Sequence, residues 1–119
     1  MEALPTFMVY LPDKPEALGS RAAKASQHAA HIKELIDSGV LALGGPFFPD
    51  GTDITATTLP SAVGSLLIVR AKTAEEVWTT LREDAFADLW DFSKAVVLPV
   101  SCDMYIIILV QAAKTSRSS

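Results

Sequence analysis

The feature that most constrains this chain of 119 residues is the order in which its hydrophobic period changes. Residues 6–11 are apolar, rich in β-forming types and closed by Pro12-Asp13, which reads as a strand and its turn. From about residue 18 to 38 the pattern is helical, with Pro15-Glu16 or Ser20 available to open the helix and Gly39 to stop it. Residues 40–43 read as a short strand running into Gly44-Gly45-Pro46, where a strand end turns tightly. Residues 48–61, with Pro, Gly, Asp and several Thr, read as a loop or loose hairpin.

Residues 63–71 form another strand, nearly continuous in apolar side chains from Leu66 to Val69 and hence buried. Thr73-Ala74-Glu75-Glu76 is a capping box that opens a helix to about Asp84. Residues 86–92 read as a short helical turn, and residues 95–100 and 105–110 as strands. The order strand, helix, strand, strand, helix, strand is the split βαβ, or ferredoxin-like, plan. The expected fold is therefore α+β (βαββαβ), an antiparallel sheet with both helices on one face and an additional C-terminal strand. Residues 1–113 are expected to form one domain, followed by a polar tail at 114–119.

Helical periodicity then isolates polar groups in apolar positions. With Ile32 as origin and about 100° per residue, Ala25, Ile36 and Ala29 lie within about 60° on one side and Leu35 about 60° on the other. His28 and Arg21 fall inside that stripe, whereas His31, at about −100°, sits on its shoulder. On the second helix, with Val77 as origin, Asp84 lies at about −20°, among Leu81 and Ala74. An ionised carboxylate is costly to bury alone, and a histidine is a natural partner. A His28–Asp84 pair can serve as a general base whose carboxylate orients the imidazole. Two structural roles stay open beside it: His28 as a core histidine with one hydrogen bond, and Asp84 as a cap on the turn that follows. Asp88 and Asp91 are rival carboxylates.

Other classes are disfavoured. Ten basic against fourteen acidic residues give a net charge of −4, and the basic residues are scattered. Nucleic-acid binding rests on clustered Lys and Arg, so no nucleic-acid partner is expected. The longest apolar run, 104–110, is far shorter than the roughly 20 residues of a membrane helix. Cys102 stands alone, which rules out an intrachain disulfide. No metal or other cofactor is expected, and without a leader-like N-terminus the expected location is cytoplasmic. Trp78 and Trp90 read as core or interface aromatics. Gly44-Gly45-Pro46 lacks the lysine and helix of a phosphate loop.

Three motifs carry a family resemblance: His28 through Leu35 followed by Gly44-Gly45-Pro46, the run Gly64-Ser65-Leu66-Leu67-Ile68-Val69, and Asp84-Ala85-Phe86. In this order they resemble the YCII-related family over roughly residues 6–101. The resemblance implies a dimeric ferredoxin-like protein with a His–Asp site at His28 and Asp84. It also implies lyase or dehydrochlorinase chemistry on small cyclic or aromatic compounds. The chain departs from the pattern at Ala85, where the family has proline, and at Ala25-Ser26, where it commonly has arginine; Arg21 is the candidate substitute.

The leading expectation is a cofactor-independent lyase or isomerase acting through His28 and Asp84. Arg21, Gly45, Pro46 and Ser65 would bind a small-molecule substrate. The alternatives are a dimeric α/β-barrel monooxygenase or muconolactone-isomerase type, and a non-catalytic ligand-binding module. The unbroken apolar run at 105–110 adds the expectation of a homodimer or larger homo-oligomer, because such a strand needs cover on both faces.

Overall fold

The computed structural model describes residues 4–101. Four strands, β1 (Thr6–Pro12), β2 (Leu41–Phe47), β3 (Gly64–Arg70) and β4 (Val96–Pro99), alternate with helices α1 (Arg21–Asp37) and α2 (Ala74–Arg82). Short 3₁₀ turns occupy Pro15–Ala17 and Ala85–Asp88. All strand pairs are antiparallel, in the order β2-β3-β1-β4. Each βαβ unit is thus split by a strand of the other, which is the ferredoxin-like arrangement.

The core lies on the helix side of the sheet. Phe7 and Val9 of β1 lie opposite Val69 and Leu67 of β3, and with Leu11 they join Val77 and Leu81 of α2 in the core. Trp90, almost fully buried, closes the end. Each such side chain contributes on the order of 1.5–3 kcal/mol by leaving water. Thr73 caps α2 as expected, its hydroxyl accepting from Glu76 N–H at 3.2 Å. The Glu76 carboxylate, however, reaches one residue further back, to Lys72 N–H at 2.9 Å.

The two helices dock differently. No residue of α1 is buried. Its stripe is rotated from the expected one: Ala25 and Ala29 are exposed and Ile36 is exposed at the cleft, while Arg21, Lys24, His28, His31, Ile32 and Leu35 are half-buried. The reason is electrostatic. Arg21 pairs with Asp13, Lys24 with Asp88, and both histidines with Asp84, so a ladder of charge contacts seats the first three turns. Alanine carries too little apolar area to override that alignment. α1 also begins later than the earliest expected start, after the 3₁₀ turn and Gly19, and ends at Gly39 with φ 78°, as a glycine stop should.

Gly44-Gly45-Pro46 does not end β2 but runs inside it, paired with Leu67, Leu66 and Ser65 of β3. Because β2 is an edge strand, Pro46 sacrifices no ladder bond that a second neighbour would need. A register shift between Leu41 and Leu43 bends the strand there. α2 ends at Arg82, so Asp84 is not on its buried stripe but in extended backbone just beyond it. The expected C-terminal strand at 105–110, Cys102 and the polar tail lie outside the described residues. Among the described residues, no helix is long and apolar enough to cross a membrane.

Candidate functional site

Asp84 is the hinge of the site. Only 6 % exposed, it is the N-cap of the Ala85–Asp88 turn, and its Oδ1 accepts from Phe86 N–H at 2.8 Å. The same oxygen is 2.7 Å from His28 Nδ1, and Oδ2 is 2.7 Å from His31 Nδ1. The capping role and the histidine pairing, alternatives on sequence grounds, are therefore held by one carboxylate. Burial pushes the Asp84 carboxyl up, but hydrogen bonds from His28, His31 and Phe86 N–H, with the charge of His28, bring it below its ordinary value. An ionised carboxylate only accepts, so both imidazoles carry their proton on Nδ1. Nε2 of His28 is left as the nitrogen available for proton transfer.

His28 lines an open cleft of about 440 Å³ between α1 and the β2–β3 edge of the sheet. Its ring lies flat on Phe86 and edge-on to Trp90. Apolar walls come from Ile32, Leu41, Leu67 and Phe86. Gly44 faces β3 so closely that a Cβ there would sit 2.6 Å from Leu67 Cδ2 and 3.3 Å from Leu66 O. Glycine at this point lets bare backbone form part of the cleft floor.

The polar end of the cleft is a second network. Arg21 donates from Nε and Nη2 to the two oxygens of Asp13, each at 2.8 Å, and again from Nη2 to Ser65 Oγ at 3.0 Å. Trp90 Nε1 donates to the same Ser65 Oγ at 3.3 Å. The Arg21 guanidinium also lies over the Phe86 ring, 4.9 Å from its centroid.

Of the expected residues, His28, Arg21, Gly45, Pro46 and Ser65 all line this cleft, and Asp84 stands behind His28 rather than in the wall. The rival carboxylates lie elsewhere: Asp88 pairs with Lys24, and Asp91 binds Ser93. Sequence reasoning assigned no role to His31, Asp13 or the ring of Phe86, and read Trp90 as a core or interface aromatic without its hydrogen bond to Ser65. The one available signal was the spacing of three between two histidines, which lets both reach a single carboxylate from adjacent turns. Among the described residues, no group of three or more His, Cys, Asp or Glu side chains is placed to hold a metal ion.

The model for the YCII-related domain matches residues 6–99. The chain belongs to the YCII-related domain family. A similar protein is the derivative of benzaldehyde biosynthesis cluster protein C of Emericella nidulans. It is 34 % identical over 93 residues, covering 78 % of this chain and 94 % of that protein. Fusaric acid biosynthesis protein 2 of Gibberella fujikuroi is 26 % identical over 106 residues, covering 81 % and 92 %. Among solved structures, the chain is similar to the 5-chloro-2-hydroxyhydroquinone dehydrochlorinase TftG of Burkholderia phenoliruptrix, in complex with 2,5-dihydroxybenzoquinone. That match has a TM-score of 0.66 at 26 % identity and covers 81 % of this chain and 93 % of the other.

Proposed function

We propose that this YCII-related protein is a small enzyme of the lyase or isomerase kind. It would eliminate a group from, or move a proton on, a small cyclic or aromatic metabolite without a cofactor. The observation that carries the reading is the His28 Nδ1–Asp84 Oδ1 hydrogen bond of 2.7 Å behind a histidine that lines the cleft. His28 Nε2 takes a proton from a ring C–H or O–H bond, and the electron pair left behind forms a new double bond. In an elimination the leaving group departs with its own bonding pair. Asp84 holds the imidazole in the required tautomer and offsets its charge once protonated. Arg21, Ser65 and the backbone at Gly45 and Pro46 hold the substrate. The dehydrochlorinase activity of TftG, removal of hydrogen chloride from a hydroxylated ring, supports this class.

The same reading makes the protein a cytoplasmic homodimer. The sheet face away from the helices carries Tyr10, Leu43, Leu66, Val96 and Leu98, all exposed, around Met8 and Ile68. These residues are cross-strand neighbours, so the apolar surface is continuous over the four strands. At about 4.8 Å per strand and about 23 Å of length, the face has a footprint of roughly 450 Å². Two copies face to face approach the area of a weak to standard interface, and apolar surface of this extent marks an interaction site on a small protein.

The test is turnover of 5-chloro-2-hydroxyhydroquinone, then of other hydroxylated rings bearing a leaving group. Activity that disappears in His28→Ala supports the reading. No activity toward any of them, or undiminished activity in His28→Ala, overturns it.

A further inference from the structure

Ser65 is 3 % exposed and lines the cleft, yet the hydrogen bonds it makes run in one direction only. A hydroxyl has two acceptor lone pairs and one donor hydrogen. Both lone pairs are taken, by Arg21 Nη2 at 3.0 Å and by Trp90 Nε1 at 3.3 Å, and neither nitrogen can accept in return. The Ser65 hydrogen has no acceptor among the described residues, so its donation is directed to whatever fills the cleft. Arg21 repeats the pattern: Nε and Nη2 are engaged by Asp13 and Ser65, while Nη1 has no acceptor among the described residues.

We infer that the Ser65 hydroxyl and Arg21 Nη1 form a donor-only subsite for a ring-conjugated oxygen of the substrate, a quinone carbonyl or a phenolate or enolate oxygen. This rests on the acid–base reading above and narrows its substrate class. The charge balance selects that oxygen. Asp13 already compensates Arg21 through a bidentate pair of 2.8 Å contacts, so the subsite offers directed donors rather than net positive charge. A phosphate would need uncompensated cations, whereas a delocalised oxyanion on an apolar ring needs two donors and apolar walls. Leu67, Ile32 and Phe86 supply those walls. When His28 takes a proton from the ring, negative charge grows on the conjugated oxygen. Preplaced donors stabilise that charge more than the neutral carbonyl. Ser65 is suited to this because the Arg21 cation polarises its O–H bond.

The test is equilibrium binding, with 2,5-dihydroxybenzoquinone as the oxygen-bearing probe and toluene as a ring without oxygen. The wild-type chain binds the quinone and shifts its visible absorption band. Ser65→Ala and Arg21→Gln weaken quinone binding roughly tenfold or more and remove the shift, with toluene affinity changed less than twofold. Ser65→Cys keeps the side-chain volume with a poor donor, and carries the decision if Ser65→Ala, which orphans Trp90 Nε1, does not fold. Unchanged quinone affinity in the folded Ser65 variant, parallel loss of toluene, or no quinone binding by the wild type each overturns the inference. The two readings fail separately. Lost turnover in His28→Ala with no Ser65 effect on binding removes only the donor subsite. A Ser65 effect on binding with turnover retained in His28→Ala removes only the acid–base role.

Discussion

Phe86 lies flat against His28, with ring centroids 3.8 Å apart and planes within 9° of parallel. The backbone N–H of the same residue binds Asp84 Oδ1, so Phe86 orients both members of the pair, one by its ring and one by its main chain. Phe86→Leu keeps the main-chain bond but removes the flat surface. The expected result is a loss of about 1 kcal/mol of stability and roughly tenfold in turnover. Thermal melting and steady-state kinetics measure the two; unchanged turnover would mean that the imidazole needs no stacking partner.

His28→Ala is expected to lower turnover by about 10²–10⁴-fold, the range for a positioned proton-transfer group. Asp84→Asn leaves shape nearly unchanged but offers a donor where His31 Nδ1–H now donates. It should therefore lower turnover while circular dichroism stays native. Loss of folded signal in both variants would assign the pair to structure alone.

His31 gives its Nδ1 hydrogen to Asp84 Oδ2 without lining the cleft. It acts as a positioning residue, and His31→Phe is expected to free one carboxylate oxygen to rotate. Nitrogen-15 spectra of the His28 ring read the outcome directly: the wild type shows the proton on Nδ1, and the variant shows mixed tautomers. An unmixed His28 in the variant would leave Phe86 and His28 as sufficient holders of Asp84.

Acid should weaken the fold partly through Asp84. Its folded carboxyl lies below the ordinary value of 3.8. At pH above that value it is ionised in both folded and unfolded chains, and its contribution is fully present. As the pH falls below 3.8, the unfolded chain takes up its proton first, and the contribution is lost by the time the folded carboxyl also protonates. Asp53, Asp88 and Asp91 are also held low, by the Thr55 hydroxyl, the Lys24 ammonium and the Ser93 hydroxyl respectively. The diagnostic quantity is thus the difference from Asp84→Asn, whose denaturation midpoint should fall less steeply below about pH 4. Parallel acid limbs would contradict the assignment.

The open sheet face predicts self-association. Light scattering at micromolar concentration should give twice the 12.7 kDa chain mass. Leu66→Glu, at the centre of the face opposite Tyr10, should shift the protein to monomer. A variant that stays dimeric would place the contact elsewhere, and a monomeric wild type would remove it.

What the sequence revealed depended on which force dominated each element. β1, β3 and α2 are held by apolar burial, so alternation in Phe7, Val9 and Leu11, and the Thr73 cap, made them readable. α1 is oriented by Arg21, Lys24, His28 and His31 against aspartates distant in the chain, contacts that no local period encodes. A wheel centred on Ile32 consequently turned Ala25 and Ala29 inward. Asp84 was singled out on a helical register that ends two residues before it, although its buried position and its histidine partner hold. Gly44-Gly45-Pro46 looked like a strand end because edge-strand tolerance is set by the neighbours a strand lacks, which local sequence does not display.

The polar inner face of α1 separates two demands that most helices must meet together. The hydrophobic interior is built mainly from β1, β3, α2 and Trp90, whereas Arg21 and His28, which line the cleft, project from a helix with no fully buried residue. Apart from Ile32 and Leu35, which pack against the core, and the side chains paired with Asp13, Asp84 and Asp88, exchanging a side chain on that helix opens no void in the hydrophobic interior, so new residues can be sampled there at little thermodynamic risk. The scaffold is accordingly evolvable: an exposed cleft-lining position such as Ile36 can change the cleft wall while the rest of the chain continues to fold as before.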